Sequence, residues 1–207
     1  MLLRVIPFLF LTIFGSSWSI AQQLQDSSKK SIHPFIAYEF GEAIFNRFQS
    51  LSGEVGVVLP NDHMVRLVHQ NLSLTEGHLS SDFAVVVKGD DVEGSLFGFE
   101  AFYGLPVVKW NHNKEMLYLS PSIGHYRNEY WHTILEERFE KSSWTAGLEI
   151  SYRETNLFRV KGLYCTVSIP IRIHFSPHEE FTLGDTRILG NRLDNNIWLM
   201  IGYQFSL

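Results

Sequence analysis

Residues 163–175 read Leu-Tyr-Cys-Thr-Val-Ser-Ile-Pro-Ile-Arg-Ile-His-Phe, and every second residue, beginning with the first, is apolar. Most of the residues between them are small or polar, including Thr166, Ser168 and Arg172. Because side chains alternate between the two faces of a β-strand, this pattern predicts a strand with one apolar and one polar face. Residues 197–207 repeat the pattern. Alternating runs of this length exceed the usual strand of a soluble sheet and match a tilted strand that crosses a bilayer.

Other alternating runs along the chain complete a set of strands. The predicted strands are residues 32–41, 63–71, 81–88, 95–105, 117–126, 144–154, 163–175 and 197–207. An even number of antiparallel strands with long loops at one end is typical of bacterial outer-membrane barrels, and the predicted long loops are residues 42–62, 128–143 and 176–196. The sequence therefore predicts an all-β, closed, antiparallel up-and-down transmembrane barrel of eight strands. Ten strands are the alternative, if residues 53–59 and 106–111 form strands of their own.

The N-terminus has the composition of a secretory signal. Arg4 precedes an apolar run, and Ser19-Ile-Ala21 places small residues where a signal peptidase cuts. The apolar run is too short to cross a bilayer as a helix. We therefore expect residues 1–21 to be a cleaved signal peptide, residues 22–31 a flexible polar lead-in, and residues 32–207 the barrel domain.

Charge and cysteine content exclude several classes of protein. The formal net charge is −5 and becomes more negative without Arg4, which argues against a nucleic-acid partner. Cys165 is the only cysteine, so no intramolecular disulfide can form. No stretch after residue 21 is long and apolar enough for a transmembrane helix.

Three segments carry a family resemblance. Pro121-Ser-Ile-Gly124, Gly147-Leu-Glu-Ile-Ser-Tyr152 and Ile201-Gly-Tyr-Gln-Phe205 resemble strands of small outer-membrane proteins of the OmpX and OmpA-barrel type. The resemblance implies a bacterial outer-membrane location, with outer-membrane lipids as the surroundings. The terminal strand resembles the signal that the barrel-assembly machinery reads, although Leu207 stands where an aromatic residue is usual.

The barrel hypothesis assigns a side to each alternating residue. The apolar residues expected to face lipid are Leu163, Val167, Ile169, Ile171, Ile173, Ile197, Leu199, Ile201 and Phe205. The charged residues expected to face the lumen are Glu39, Arg66, Lys88, Glu100, Glu149, Arg153 and Arg172. Eight strands leave an interior just wide enough for side chains to fill. We therefore expect three acids and four bases to pair and plug the lumen, without an open diffusion pore.

An enzymatic alternative is a lipid-modifying hydrolase. Deacylases of lipid A carry a His-x-Ser pair on one strand, but His125-Tyr-Arg127 has arginine at the nucleophile position. Ser122 lies on the opposite face of the same predicted strand. No activated serine follows from this geometry, so we expect no catalytic residue and no enzymatic activity.

Two histidine-containing segments are the candidate metal sites in the sequence. His132 with Glu136 and Glu137, and His178-Glu-Glu180, lack a spacing that fixes metal coordination. The chain has no phosphate-cradling glycine motif, and we expect no cofactor and no metal. A soluble, lipocalin-like periplasmic barrel would show the same alternation with its apolar faces inward. The expected role is therefore structural or surface interaction through the external loops, with an unknown ligand.

Overall fold

Antiparallel pairing closes the chain into a ring of eight strands, as the sequence predicts. The computed structural model describes residues 31–45, 50–74, 87–88 and 91–206. The strands are β1 (His33–Glu39), β2 (Gly53–Val58), β3 (Met64–Leu74), β4 (Val87–Lys88), β5 (Val92–Trp110), β6 (Glu115–His132), β7 (Arg138–Thr155), β8 (Leu163–His174), β9 (Phe181–Leu183), β10 (Thr186–Ile188), β11 (Leu193–Asn195) and β12 (Trp198–Gln204). The ring order is β1-β2-β3-β5-β6-β7-β8-β12 and back to β1. Strand β11 pairs with residues 171–173 of β8, beyond the part of β8 that pairs with β12. A short helix, α1 (Phe40–Phe45), follows β1.

The ring closes where the first and last strands meet. Ala37 of β1 lies opposite Gly202 of β12, which pairs on its other side with Tyr164 of β8. A Cβ atom at Gly202 would lie 2.4 Å from the carbonyl oxygen of Ile36 and 2.5 Å from Cζ of Tyr164. The closing seam therefore requires glycine at this position, because neither the backbone nor the buried ring can easily move away.

Two predicted elements are wrong although the strand count is right. Residues 42–62, predicted as a loop, contain barrel strand β2. Of the predicted strand 81–88, the structure describes only β4, which pairs with β10 outside the ring, and residues 81–86 lie outside the described part. The pattern at β2 is weak because Gly53 and Gly56 interrupt its alternation, so periodicity alone does not reveal the strand.

Several strands run farther than the sequence predicts. The predicted loop 128–143 consists largely of the ends of β6 and β7, which pair up to Trp131 and Arg138. Residues 106–111 mostly continue β5, with a register shift between Pro106 and Val108, so they form no separate strand. Residues 176–196, also predicted as a loop, include β9, β10 and β11. Strand propensity is not visible in these polar segments because their pairing depends on neighbouring strands.

The alternation places apolar side chains outside and polar side chains inside. On β8, Ile169, Ile171 and Ile173 are exposed while Ser168 and Arg172 are buried. All of the predicted lipid-facing residues lie on this outer face and are exposed or half-exposed. A lipocalin-like barrel requires the opposite arrangement, so the structure argues against that alternative.

The two ends of the barrel differ. Strands at one end are joined by residues 59–63, 111–114 and 156–162, whereas the other end carries the longer segments 75–91 and 175–192. At this long-loop end, β4, β10 and β9 form a second sheet, which we call the outer cap. The cap packs on a small apolar core of Val92, Tyr130, Leu183 and Ile188, flanked by Leu74, Phe139 and Phe181.

Within the described residues, no helix is both long and apolar enough to cross a membrane.

Candidate functional site

The barrel interior holds most of the charged residues singled out from the sequence. Glu39, Arg66, Glu100, Glu149, Arg153 and Arg172 are all buried. Lys88 does not belong with them, because it lies on β4 in the outer cap and not on a barrel strand. The error follows from the wrong assignment of residues 81–88 to the ring.

The first interior group is the central cluster, formed by Glu54, Arg66 and Glu149. The Arg66 guanidinium donates to Glu54 at 2.6 Å and also to Glu149, which reaches it from the far wall of the barrel. All three side chains are at most 1 % exposed. Tyr164 donates its hydroxyl to Glu54 at 3.1 Å, and Arg66 lies 4.3 Å from the ring centre of Phe102. The cluster therefore ties β2 and β3 to β7 through the lumen.

The second group, the outer cluster, lies nearer the long-loop end. Arg172 donates to Glu100 at 2.5 Å and to Asp194 at 3.1 Å. His174 lies 2.9 Å from the other carboxylate oxygen of Asp194. Tyr126 donates to Glu100 at 2.7 Å, which leaves that carboxylate well satisfied. Charge-assisted hydrogen bonds of this kind are the strong ones in a low-dielectric interior.

Arg153 is separate from both clusters. Among the described residues it forms no ion pair, and its guanidinium donates to Gln204 at 3.1 Å and to the Met64 sulfur at 3.2 Å. Its guanidinium carbon lies 3.6 Å from the ring centre of Tyr164 and 4.5 Å from that of Phe35. Aromatic faces can stabilise a desolvated cation, so Arg153 is held by stacking and not by a carboxylate.

The interior charge balance differs from the prediction. Glu54 lies in the interior, and the half-exposed Asp194 reaches the interior Arg172 from β11. Both were missed because their segments were predicted to be loops. At the inward-facing positions of the described barrel strands, the buried charged side chains are four glutamates and three arginines: Glu39, Glu54, Glu100 and Glu149 against Arg66, Arg153 and Arg172. Glu129 of β6 is also buried, but it alternates with the inward-facing Asn128 and Tyr130 and so lies at an outward position. The interior is therefore acidic in excess, not nearly neutral with an excess of bases. The alternating inward position of Glu54 in β2 was the one signal that could have revealed it.

The residues that the sequence offers for catalysis lie on both faces of β6, with His125 and Arg127 on the outer surface. The His125 ring packs against Trp144 with centroids 5.1 Å apart, and Arg127 lies 3.6 Å from Glu140. Ser122 points inward and donates to Glu100 at 2.5 Å. His125 and Ser122 therefore lie on opposite faces of β6, as the sequence predicts, and cannot act together on one substrate.

The two candidate metal sites are dispersed. Nδ1 of His132 accepts the amide hydrogens of Ile134 and Leu135, while Glu136 and Glu137 are exposed. The His178 ring packs among the rings of Tyr130, Phe139 and Phe181. Within the described ranges, no group of three or more histidine, cysteine, aspartate or glutamate side chains could hold a metal ion.

The closed ring, apolar outside and charged inside, defines a small barrel of the outer-membrane type. No family model matches the chain, and no curated protein matches it. Among solved structures, it is similar in fold to the N-terminal β-barrel domain of Pseudomonas aeruginosa OprF, with 12 % identity, a TM-score of 0.40, and coverage of 86 % of this chain and 100 % of that one. It is also similar to Ail, the attachment invasion locus protein of Yersinia pestis, with 14 % identity, a TM-score of 0.38, and coverage of 84 % and 97 % respectively.

Proposed function

We propose that this protein is a non-enzymatic barrel of the bacterial outer membrane, with a lumen plugged by ion pairs and a contact surface at its long-loop end. The observation that carries the proposal is the polarity of the wall. Ile169 and Ile171 are 45 % and 47 % exposed, whereas Arg172, between Ile171 and Ile173, is 2 % exposed. In water this arrangement would expose a broad apolar belt, which a soluble monomer rarely tolerates. A hydrocarbon environment removes that cost.

The interior supports the plug. The central and outer clusters join strands across the lumen, and the bulky side chains of Phe102, Tyr118 and Trp198 are buried in the same interior. Buried charges are stable only when paired and hydrogen-bonded, so the clusters resist opening for a solute. In the proposed barrel, ion pairs across the lumen therefore hold the strands together, and the lumen does not serve as a diffusion pore.

The long-loop end supports a role in surface contacts. The outer cap and the ends of β5, β6 and β7 extend this end with their own apolar core. Ile134 and Leu135, in the turn between β6 and β7, are 67 % and 53 % exposed. Loops on a rigid scaffold are where binding residues usually lie, so this end is the proposed site of contact with an external ligand. We also propose that the barrel-assembly machinery recognises the C-terminal strand, β12.

Membrane residence is tested by spin labels at two neighbouring positions of β8. In a Cys165→Ser background, Ile169→Cys and Ser168→Cys each receive a nitroxide label in reconstituted protein. We expect lipid-dissolved oxygen to reach the label at position 169 and not the one at position 168. The reverse result would overturn the proposed orientation. Cell fractionation with heat-modifiable gel mobility checks the location, and recovery with soluble periplasmic proteins would contradict it.

A further inference from the structure

The central cluster carries an unbalanced charge. Glu54 and Glu149 contribute two carboxylates and Arg66 one guanidinium, and all three side chains are at most 1 % exposed. Arg153, which stacks on the ring of Tyr164, hydrogen-bonds to Gln204 and forms an ion pair with neither carboxylate. An uncompensated charge is very costly in a low-dielectric interior. A bound cation or a proton at the cluster would neutralise this excess negative charge.

One carboxylate oxygen is available for such a ligand. Oε1 of Glu149 accepts from Arg66, whereas Oε2 is buried and accepts no hydrogen bond of normal geometry among the described residues. The Ser151 hydroxyl, two residues along β7, also interacts with this carboxylate. Glu54 differs, because its two oxygens accept from Arg66 and Tyr164. The unused acceptor therefore lies at Glu149, on the inner wall of β7.

Unused hydroxyl groups surround the same point. Ser120 lies directly opposite Glu149 on β6, and Ser168 lies on β8, opposite Ser151, at the next inward-facing level. Ser120 and Ser168 are at most 1 % exposed, and their hydroxyl oxygens have no hydrogen-bond partner within the described part of the chain. Directly opposed residues on paired strands have Cβ atoms about 4.5–5.5 Å apart, and diagonal neighbours are within reach of longer side chains. These oxygens can therefore converge with the Glu149 carboxylate.

We propose that the inner wall of β6, β7 and β8 binds one monovalent alkali cation, with Oε2 of Glu149 and the hydroxyls of Ser120 and Ser168 as ligands. Carboxylate and hydroxyl oxygens are hard donors, which suit hard cations. The charge of the central cluster favours a monovalent ion, because one positive charge balances it, whereas a divalent ion would leave an excess of positive charge. Water could satisfy the hydroxyls, but it could not neutralise the carboxylate. The site depends on the interior of the barrel and not on where the barrel resides.

The test compares thermal unfolding in sodium chloride and choline chloride at equal ionic strength, using refolded full-length protein in detergent micelles. Choline is too large for an enclosed oxygen site. At a sodium concentration about ten times the dissociation constant, we expect the midpoint of unfolding to rise by about 3–6 °C over that in choline. Equal midpoints in the two salts would overturn the cation site and assign the neutralising charge to a proton on Glu149.

Variants locate the effect. Glu149→Gln removes the excess charge with little change in shape, so the difference between sodium and choline should disappear. Ser120→Ala and Ser168→Ala should each raise the sodium concentration needed for half of the shift. They also keep the test decisive if Glu149→Gln does not fold. Unchanged sodium dependence in both serine variants would refute the assigned ligands.

A matched control is Thr145→Val. Thr145 is also buried on the inner face of β7, and its hydroxyl also has no partner in the described residues, but it lies two inward-facing levels from Glu149, opposite His174. Its replacement should leave the difference between sodium and choline unchanged. Loss of the difference in this control would indicate a general effect of interior polarity and would overturn the site.

Discussion

Replacement of Arg66 by methionine is the sharpest test of how the interior holds the barrel together. Methionine keeps an unbranched apolar stem but removes the guanidinium that donates to Glu54 and Glu149. Two carboxylates that are at most 1 % exposed then lose their main partner. Removing one member of a buried ion pair typically costs about 3–5 kcal/mol. For a barrel of this size, that corresponds to a fall of roughly 6–20 °C in the midpoint of thermal unfolding.

The assay follows the loss of heat-modifiable gel mobility, or of β-sheet circular dichroism, with temperature in detergent micelles. Arg66→Lys is an informative companion, because an ammonium group keeps the charge but cannot match the planar fork that reaches both carboxylates. Its destabilisation should therefore be smaller than that of Arg66→Met. The triple variant Arg66→Met, Glu54→Gln, Glu149→Gln removes all three charges and should recover part of the loss.

The reasoning would be refuted by a small effect. If Arg66→Met lowers the free energy of unfolding by less than about 1 kcal/mol, groups other than Arg66 compensate the two carboxylates, and the central cluster does not stabilise the barrel. If the triple variant is no more stable than Arg66→Met, the cost comes from the lost packing of Arg66 against Phe102, which both variants share, and not from unpaired charge.

Three further predictions concern the seam and the outer cap. Gly202→Val should prevent closure of β1 on β12, because its Cβ would lie 2.4 Å from the Ile36 carbonyl oxygen, and the folded gel band should be absent; a normal band would contradict the close approach. Burial among aromatic rings lowers the pKa of His178 from 6.5. Because His178 binds a proton more readily in the unfolded segment, the outer cap should lose stability as the pH falls below about 6.5. The loss should be seen as faster amide hydrogen exchange in residues 176–192, after correction for the intrinsic exchange rate. Equal protection at pH 7.5 and about pH 5 would refute this prediction. Phe139→Ala removes a ring whose centroid lies 4.0 Å from that of Phe181. Amide exchange in residues 176–192 should therefore be faster, while the midpoint of thermal unfolding of the barrel is unchanged. A shift of that midpoint would show that the cap and the barrel unfold together.

Alternation within long strands made most of the wall predictable. The β8 pattern places isoleucines outside and Ser168 and Arg172 inside, as found, because a period of two is a local property of extended backbone. The same logic failed at β2, where Gly53 and Gly56 hide the pattern. It also failed at residues 81–88, whose apolar alternation was assigned to the ring although Val87–Lys88 pairs in the cap.

The sequence by itself determined that the chain forms long amphipathic strands, enough of them to close on themselves, with most of the charged residues of the predicted strands on one face. Which strands are neighbours was decided only by the tertiary structure, since pairing partners are distant along the chain. Closure of the ring brings Arg66 of β3 into contact with Glu149 of β7, although β3 and β7 are not neighbouring strands. It also brings Glu54 into the interior, and with it the excess negative charge of the central cluster. Local periodicity can assign a side chain to a face, but only the closed ring determines which charges meet across it.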